Sequence, residues 1–146
     1  IGRTFIKPKQ SNRESSVQVK LNVLKEAVNG KRVIMIDDSI VRGTTSDRIV
    51  SMLKEAGAKE VHVRISSPPF LYPCYFGTDV PDSDQLIAYN RTIEEIRQII
   101  GADSLGYLKL ERLPELTGGR QFCQGCFTGK WPIDPPKEDI RGEYDA

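Results

Sequence analysis

The stretch from Val33 to Thr45, VIMIDDSIVRGTT, holds most of the side chains here whose types and order suit chemistry. Four apolar residues lead into two adjacent carboxylates, Asp37 and Asp38, and then come Ser39, Val41, Arg42, Gly43, Thr44 and Thr45. Carboxylates accept hydrogen bonds from hydroxyls and ligate hard cations such as Mg2+. Ser39, Thr44 and Thr45 offer hydroxyls that donate to phosphate oxygens, and Gly43 lets the backbone come close to an anion. Like charges repel, so the two acids suit a neighbouring polyol or metal ion rather than the phosphate itself. A sugar with vicinal hydroxyls and a phosphate on its adjoining carbon satisfies both halves. An isolated Asp-Asp-Ser would read as a cap and a turn. The full run after an apolar strand points further. It is neither a Walker A loop nor G-x-G-x-x-G, which argues against nucleoside triphosphate and dinucleotide sites.

The cysteines are the second candidate group. Cys74 stands alone, and Cys123 and Cys126 form a C-x-x-C pair. An odd number at uneven spacing is unlike a secreted disulfide framework. Two thiolates at that spacing reach one metal, and on spacing alone zinc is the favoured reading, with free thiols as the rival. A Cys123–Cys126 disulfide suits a cytoplasmic protein poorly. Other residues carry plainer readings. Lys20, taken by itself, is an exposed helix lysine, and His62 sits in a strand as a structural residue. Trp131 reads as a packing anchor for the tail. Arg42 either supports the loop or faces solvent or a neighbouring subunit.

These residues need elements to place them. Residues 1–16 are polar and read as a flexible loop. Val17, Leu21, Leu24 and Val28 fall at helical spacing, and Asn29-Gly30 stops that helix. Residues 33–36 form a short apolar run that suits a strand buried on both faces of a parallel sheet. After the loop, Ile49, Val50, Leu53 and Ala56 share one helical face that Gly57 ends. Residues 61–65 alternate as a strand does. Strand, loop, helix and strand make a βαβ unit, so the fold class is α/β. Ser67-Pro68-Pro69 then breaks regular structure. Thr92-Ile93-Glu94-Glu95 is a capping box that opens a helix with Ile93, Ile96, Ile99 and Ile100 apolar, closed by Gly101. One more short strand falls within residues 105–110. The organisation is a partial domain over 1–116 and an irregular tail over 117–146 that carries the C-x-x-C pair.

The chain has 146 residues with 21 basic and 20 acidic side chains, a balance that gives no long-range field for nucleic acid or an anionic membrane. No apolar run approaches the roughly 20 residues needed to span a bilayer. The start, IGRTFIKPKQ, has no apolar signal segment, and cytoplasm is the default setting. Its first residue is Ile rather than Met, which suggests a processed chain or a fragment.

The run VIMIDDSIVRGTT resembles the 5-phosphoribosyl-1-pyrophosphate (PRPP) motif of type I phosphoribosyltransferases. Within that group the chain is similar to the glutamine PRPP amidotransferase family. The similarity rests on GRTFI (2–6), Lys20-Leu21-Asn22, DDSIVRGTT, EAGAKEVHVRISSPP (55–69), Leu86-Ile87-Ala88, EEIRQIIGADSLGYL (94–108) and QFCQGCFTGKWP (121–132). It implies an incomplete type I phosphoribosyltransferase fold, a parallel sheet flanked by helices. It also implies the transfer of glutamine-derived ammonia to C1 of PRPP, the opening step of purine synthesis. By the resemblance, Asp37 and Asp38 hold the ribose hydroxyls and Mg2+, and Ser39, Val41, Arg42, Gly43, Thr44 and Thr45 wrap the 5-phosphate. Lys20 faces the departing pyrophosphate, and Arg3 lies in a loop, residues 3–8, that closes over PRPP. Cys74, Cys123 and Cys126 become three of four ligands of a structural [4Fe–4S] cluster, with the fourth upstream of Ile1.

The implied partners are PRPP, purine nucleotides and an N-terminal glutaminase domain that this sequence lacks, in a homo-oligomer, a tetramer. Neither nucleic acid nor membrane is implied. The expectation is a fragment that begins inside the second domain and makes no phosphoribosylamine from glutamine by itself. Two alternatives stand beside this expectation. A non-catalytic PRPP or nucleotide sensor would not need GRTFI or the cysteines and would usually bring a DNA-binding segment. A salvage phosphoribosyltransferase would share the loop but not the long tail.

Overall fold

A computed structural model describes residues 25–77 and 82–135. The predicted loop over 1–16, with Arg3, and the region of Lys20 lie outside the described residues. Residues 25–28 are helical and Asn29-Gly30 turns the chain, as the spacing predicts. The elements that follow are β1 (Arg32–Asp37), α1 (Thr44–Glu55), β2 (Glu60–Ile65), α2 (Ile93–Ile99), β3 (Ser104–Tyr107), α3 (Leu113–Leu116) and α4 (Gly125–Thr128). Single 3-10 turns at Ser83–Gln85 and Leu110–Arg112 lie between them.

The three strands form one parallel sheet in the order β1-β2-β3. Arg32 lies opposite Glu60 and Asp37 opposite Ile65, and His62 to Ile65 lie opposite Ser104 to Tyr107. The central strand shows why the sequence alternates here. Val61, Val63 and Ile65 point into the core, with Val61 and Val63 fully buried. Each such side chain contributes about 1.5–3 kcal/mol relative to exposure. Val50 and Leu53 from α1 and Ile96 from α2 meet them, together with Ala56 and Ile100, the residues that cap α1 and α2. The capping box of α2 is formed as its sequence predicts: Glu95 N–H donates to Thr92 Oγ1 at 3.2 Å, and Thr92 N–H donates to Glu95 Oε2 at 2.7 Å. Asp103 locks β3 to the start of β2 by accepting from Val61 N–H at 2.7 Å, and its pKa lies below the usual range because of that bond.

One expectation needs correction. β1 pairs in parallel, but it is not buried on both faces. Val33 and Met35 pack on the core, while Ile34 and Ile36 are 67% and 76% exposed. Successive strand side chains point to opposite faces, and register puts Ile34 beside His62 and Ile36 beside Arg64. Among the described residues that second face is polar elsewhere and uncovered. Ser104 Oγ lies 2.8 Å from His62 Nδ1 and accepts from Arg64 Nη1 at 2.9 Å. His62 is thus the structural residue its place in the strand suggested.

The tail over the described part of 117–135 is irregular apart from the single turn of α4. It is fixed to the segment after Pro69 by the N–H groups of Leu71 and Tyr72, which both donate to Cys126 O, at 3.0 and 3.1 Å. Phe70 and Phe127 stack 5.0 Å apart, and Trp131 meets Tyr72 and Tyr75 edge-on. Among the described residues no helix is long and apolar enough to cross a membrane.

Candidate functional site

Parallel strands put their carboxyl ends on one side, and in open α/β sheets ligands bind there. β1 ends at Asp37 on that side. The backbone at this point is held from β2: Ser66 donates to Asp37 O through its N–H at 3.0 Å and its Oγ at 3.2 Å. Asp38 N–H then donates to Asp37 Oδ1 at 2.9 Å, and Ser39 Oγ donates to Asp38 Oδ1 at 3.2 Å. Asp37 is half-buried and Asp38 is exposed. Burial pushes the Asp37 carboxyl above its ordinary pKa; the Asp38 N–H works against that shift and the Asp38 charge adds to it. The two acids therefore differ. Asp37 is fixed and desolvated, while Asp38 faces solvent with free lone pairs for a hydroxyl or a cation.

Past the acids the chain dips and returns. Ile40 is 2% exposed and pins the loop to the main core. Val41 packs on a second small cluster with Phe70 and Leu86. Arg42 is exposed and Gly43 is buried at φ 84°, the left-handed conformation that glycine adopts at least cost. Gly43 is the N-cap of α1 and, having no side chain, makes no side-chain cap hydrogen bond to the first turn. The opening N–H groups of a helix have no partner inside it, so those of α1 point out of the helix beside Thr44 and Thr45 at the positive end of its dipole. Such an end is a ready anion site. Asp37, Asp38, Ser39, Val41, Arg42, Gly43, Thr44 and Thr45 thus fall in one strand–loop–helix connection, as the sequence predicts. Lys20 and Arg3 lie outside the described residues.

Sequence reasoning passed over Ile87 as a residue of this site. It is 4% exposed, its N–H donates to Val41 O at 2.8 Å, and its Cδ1 occupies the place where a Cβ on Gly43 would stand. The available signal was an apolar triplet, Leu86-Ile87-Ala88, between turn-forming residues.

The cysteines lie elsewhere. Cys74 and Cys126 both pack against the Phe70–Leu86 cluster, and Cys123 is exposed nearby. Burial raises the Cys126 thiol pKa, and the Cys74 and Cys123 thiols raise it further. Three thiols with no oxygen donor suit a thiolate-bound metal in kind. Among the described residues, however, no three of His, Cys, Asp and Glu stand in an arrangement that could hold an ion. A cleft of about 960 Å3 opens beside Cys123, Lys130 and Trp131 and is lined by none of the phosphate-type loop's residues. Its size does not make it the reactive centre, because the paired acids and the open helix end lie elsewhere.

Comparison with known proteins adds the following. No protein-family profile matches the chain. Amidophosphoribosyltransferase of Archaeoglobus fulgidus is 56% identical over 143 residues, covering 95% of this chain and 31% of that protein. The Bacillus subtilis amidophosphoribosyltransferase is 54% identical over 142 residues, covering 92% of this chain and 29% of its own length. Among solved structures, glutamine PRPP amidotransferase from B. subtilis complexed with ADP and GMP superimposes with a TM-score of 0.73 at 50% identity, covering 94% of this chain and 31% of that one. A structure described as the allosteric regulatory enzyme of purine biosynthesis gives 0.74 at 49% identity, with the same coverage of 94% and 31%. The sheet and its flanking helices therefore form part of a type I phosphoribosyltransferase fold, and the chain spans about a third of the length of the relatives it matches.

Proposed function

We propose that this chain, whose homologues over nearly its whole length are the amidophosphoribosyltransferases, grips the ribose 5-phosphate part of PRPP. The protein that carries it would make 5-phosphoribosylamine from PRPP and glutamine-derived ammonia, the opening step of purine synthesis. One observation carries the reading: a helix N-terminus left open by a glycine cap stands at the end of a loop that begins with two carboxylates. Asp37 and Asp38 accept hydrogen bonds from the ribose hydroxyls, and the N–H groups of residues 41–45 with Ser39, Thr44 and Thr45 take the 5-phosphate. Binding both ends of the ribose fixes C1 for attack from the face opposite pyrophosphate.

The remaining roles rest on the sequence. Lys20 faces the departing pyrophosphate, where a cation gains most as negative charge builds. Arg3 belongs to a loop that closes over PRPP and keeps water from C1. The exposed Asp38 and fixed Asp37 are oxygen donors of the kind Mg2+ takes, and the ion would neutralise pyrophosphate charge when bound. Cys74, Cys123 and Cys126 would hold an iron–sulfur cluster in the longer protein, with a fourth ligand from elsewhere and a structural role. A glutaminase domain, purine nucleotides, a tetrameric assembly and a cytoplasmic setting complete the reading. The sensor alternative is less favoured, because the homologues are named as transferases.

The test uses the full natural protein that carries this chain. Asp37→Asn with Asp38→Asn removes charged acceptors worth about 1.5–3 kcal/mol each. PRPP affinity should fall by more than about tenfold, at 1.4 kcal/mol per factor of ten. Unchanged affinity and rate would overturn the role of the acids.

A further inference from the structure

We infer that Ile87 is a positioning residue for the phosphate loop: its Cδ1 is a steric stop that sets the depth of Gly43 and so the aim of the N–H groups that open α1. The inference rests on the proposed phosphate site and adds a residue that does not itself touch substrate.

Three observations converge on it. First, Ile87 is tied to the loop by the backbone, with its N–H donating to Val41 O at 2.8 Å, so it cannot drift away from the turn it supports. Second, Gly43 and Ile87 are both buried, and a Cβ built on Gly43 would run into Ile87 Cδ1. The next nearest atoms, Ile87 Cγ1 and Cβ, would lie at 3.4 and 3.7 Å, which is ordinary contact. One methyl group therefore accounts for the closeness. Third, Ile87 is itself anchored. Arg91 Nη1 donates to Ile87 O at 3.2 Å, and the next residue, Thr92, is the N-cap of α2. Leu86 and Ala88 on either side are buried at 1% and 3% exposure, Leu86 in the cluster that also holds Val41. Residues 86–88 thus form a buried wall behind the loop, tied at Ile87 O to Arg91.

The consequence is mechanical. A loop whose grip comes from backbone N–H groups has no side chains to re-aim them, and a shift of a few tenths of an ångström in Gly43 moves the donors of α1 off the phosphate oxygens. Hydrogen bonds weaken steeply with misdirection. A close-packed interior passes such a shift on rather than absorbing it. Gly43 therefore meets two separate demands, a positive φ and the space denied by Ile87.

That separation gives a test in which a merely structural role would read differently. In the full natural protein, four forms are compared by titration with ribose 5-phosphate: unaltered, Ile87→Val, Gly43→Ala, and the two changes together. Ile87→Val removes the stop and should weaken binding about three- to tenfold. Gly43→Ala should weaken it about a hundredfold, chiefly through strain at positive φ, with the clash against the end of one buried side chain adding a smaller share. In the Ile87→Val background the same Gly43→Ala change should cost at least about threefold less, since the clashing methyl is gone. Ile100→Val, an equally buried change remote from the loop, is the control; it should lower thermal stability like Ile87→Val and leave binding unchanged. Strict additivity of Ile87→Val and Gly43→Ala overturns the inference while leaving the phosphate site standing. Equal loss of binding in Ile100→Val also overturns it, as general destabilisation. If the unaltered protein does not bind ribose 5-phosphate, the proposed function falls and this inference with it. Should Gly43→Ala fail to fold, recovery of folding in the double variant supports the steric stop, and no recovery refutes it.

Discussion

Gly43 and Gly125 each have a large side chain pressed into the space where their own Cβ would be, and the two are secured in opposite ways. Gly43 lies against Ile87, which is hydrogen-bonded to the loop and surrounded by the main core. Gly125 opens α4 and lies against the indole of Trp131. Trp131 is held by ring edges, 6.2 Å from Tyr72 and 5.3 Å from Tyr75 between centroids, and among the described residues its buried Nε1–H has no hydrogen-bond partner. The loop is thus shaped by the sheet and the core beneath it. The tail leans on aromatic contacts at the periphery, on Cys126 and Phe127 packed against the small Phe70–Leu86 cluster, and on one carbonyl, Cys126 O, that takes two N–H groups. Three thiols lie in that less secured region. A bond through them would add there the kind of constraint that the sheet already provides at the loop.

The sharpest way to break this comparison is Trp131→Ala. Removal of a half-buried indole should cost about 2–3 kcal/mol, below the figure for a fully buried one. Hydrogen exchange should show residues 121–132 opening, with the amides of 40–47 as protected as before. Joint loss of protection in both regions would mean that they are one cooperative unit.

Asp37→Asn probes the other region through pH. The folded-state pKa of Asp37 is raised, chiefly by burial, so between the unfolded and folded values the folded state binds more protons. Stability then falls as pH rises through that window and stays lower above it. The asparagine variant should lose that fall and melt at a higher temperature than the unaltered protein at pH 7, even as it binds ribose 5-phosphate less well. A lower melting temperature at pH 7 would mean that the carboxylate is a structural asset instead of a functional cost.

The smallest effect is expected at Thr92→Ala. It deletes the cap of α2 and should lower stability by about 1 kcal/mol in denaturant melts. Because Arg91 beside it donates to Ile87 O, a slight loosening of the phosphate loop should accompany the change, visible as exchange at residues 41–45. An unaffected loop would place the end of the supporting wall before residue 91.

Much of this was legible in the sequence because the physics is local. The capping box needs only Thr92 and Glu95 at their spacing, and the strand over 61–65 shows its buried face by alternation. The loop from Asp37 to Thr45 could be read because its chemistry and its geometry come from consecutive residues. Ile87 could not be read so directly, since its role depends on a contact across 44 positions to Gly43. Ile34 and Ile36 misled for a related reason. An apolar run says that a strand is apolar on both sides, not that something covers both sides.

That uncovered side has a practical outcome. Among the described residues β1 and β3 each pair with β2 alone, so β1 is one of the sheet's two margins, and it carries Ile34 and Ile36 bare beside it. A margin of this kind accepts another strand as readily from a second molecule as from the same one. Self-association of these 146 residues, handled in isolation, is therefore expected to run through β1, the edge that also carries bare apolar side chains. Charged residues at 34 and 36 are the changes that would keep it dispersed.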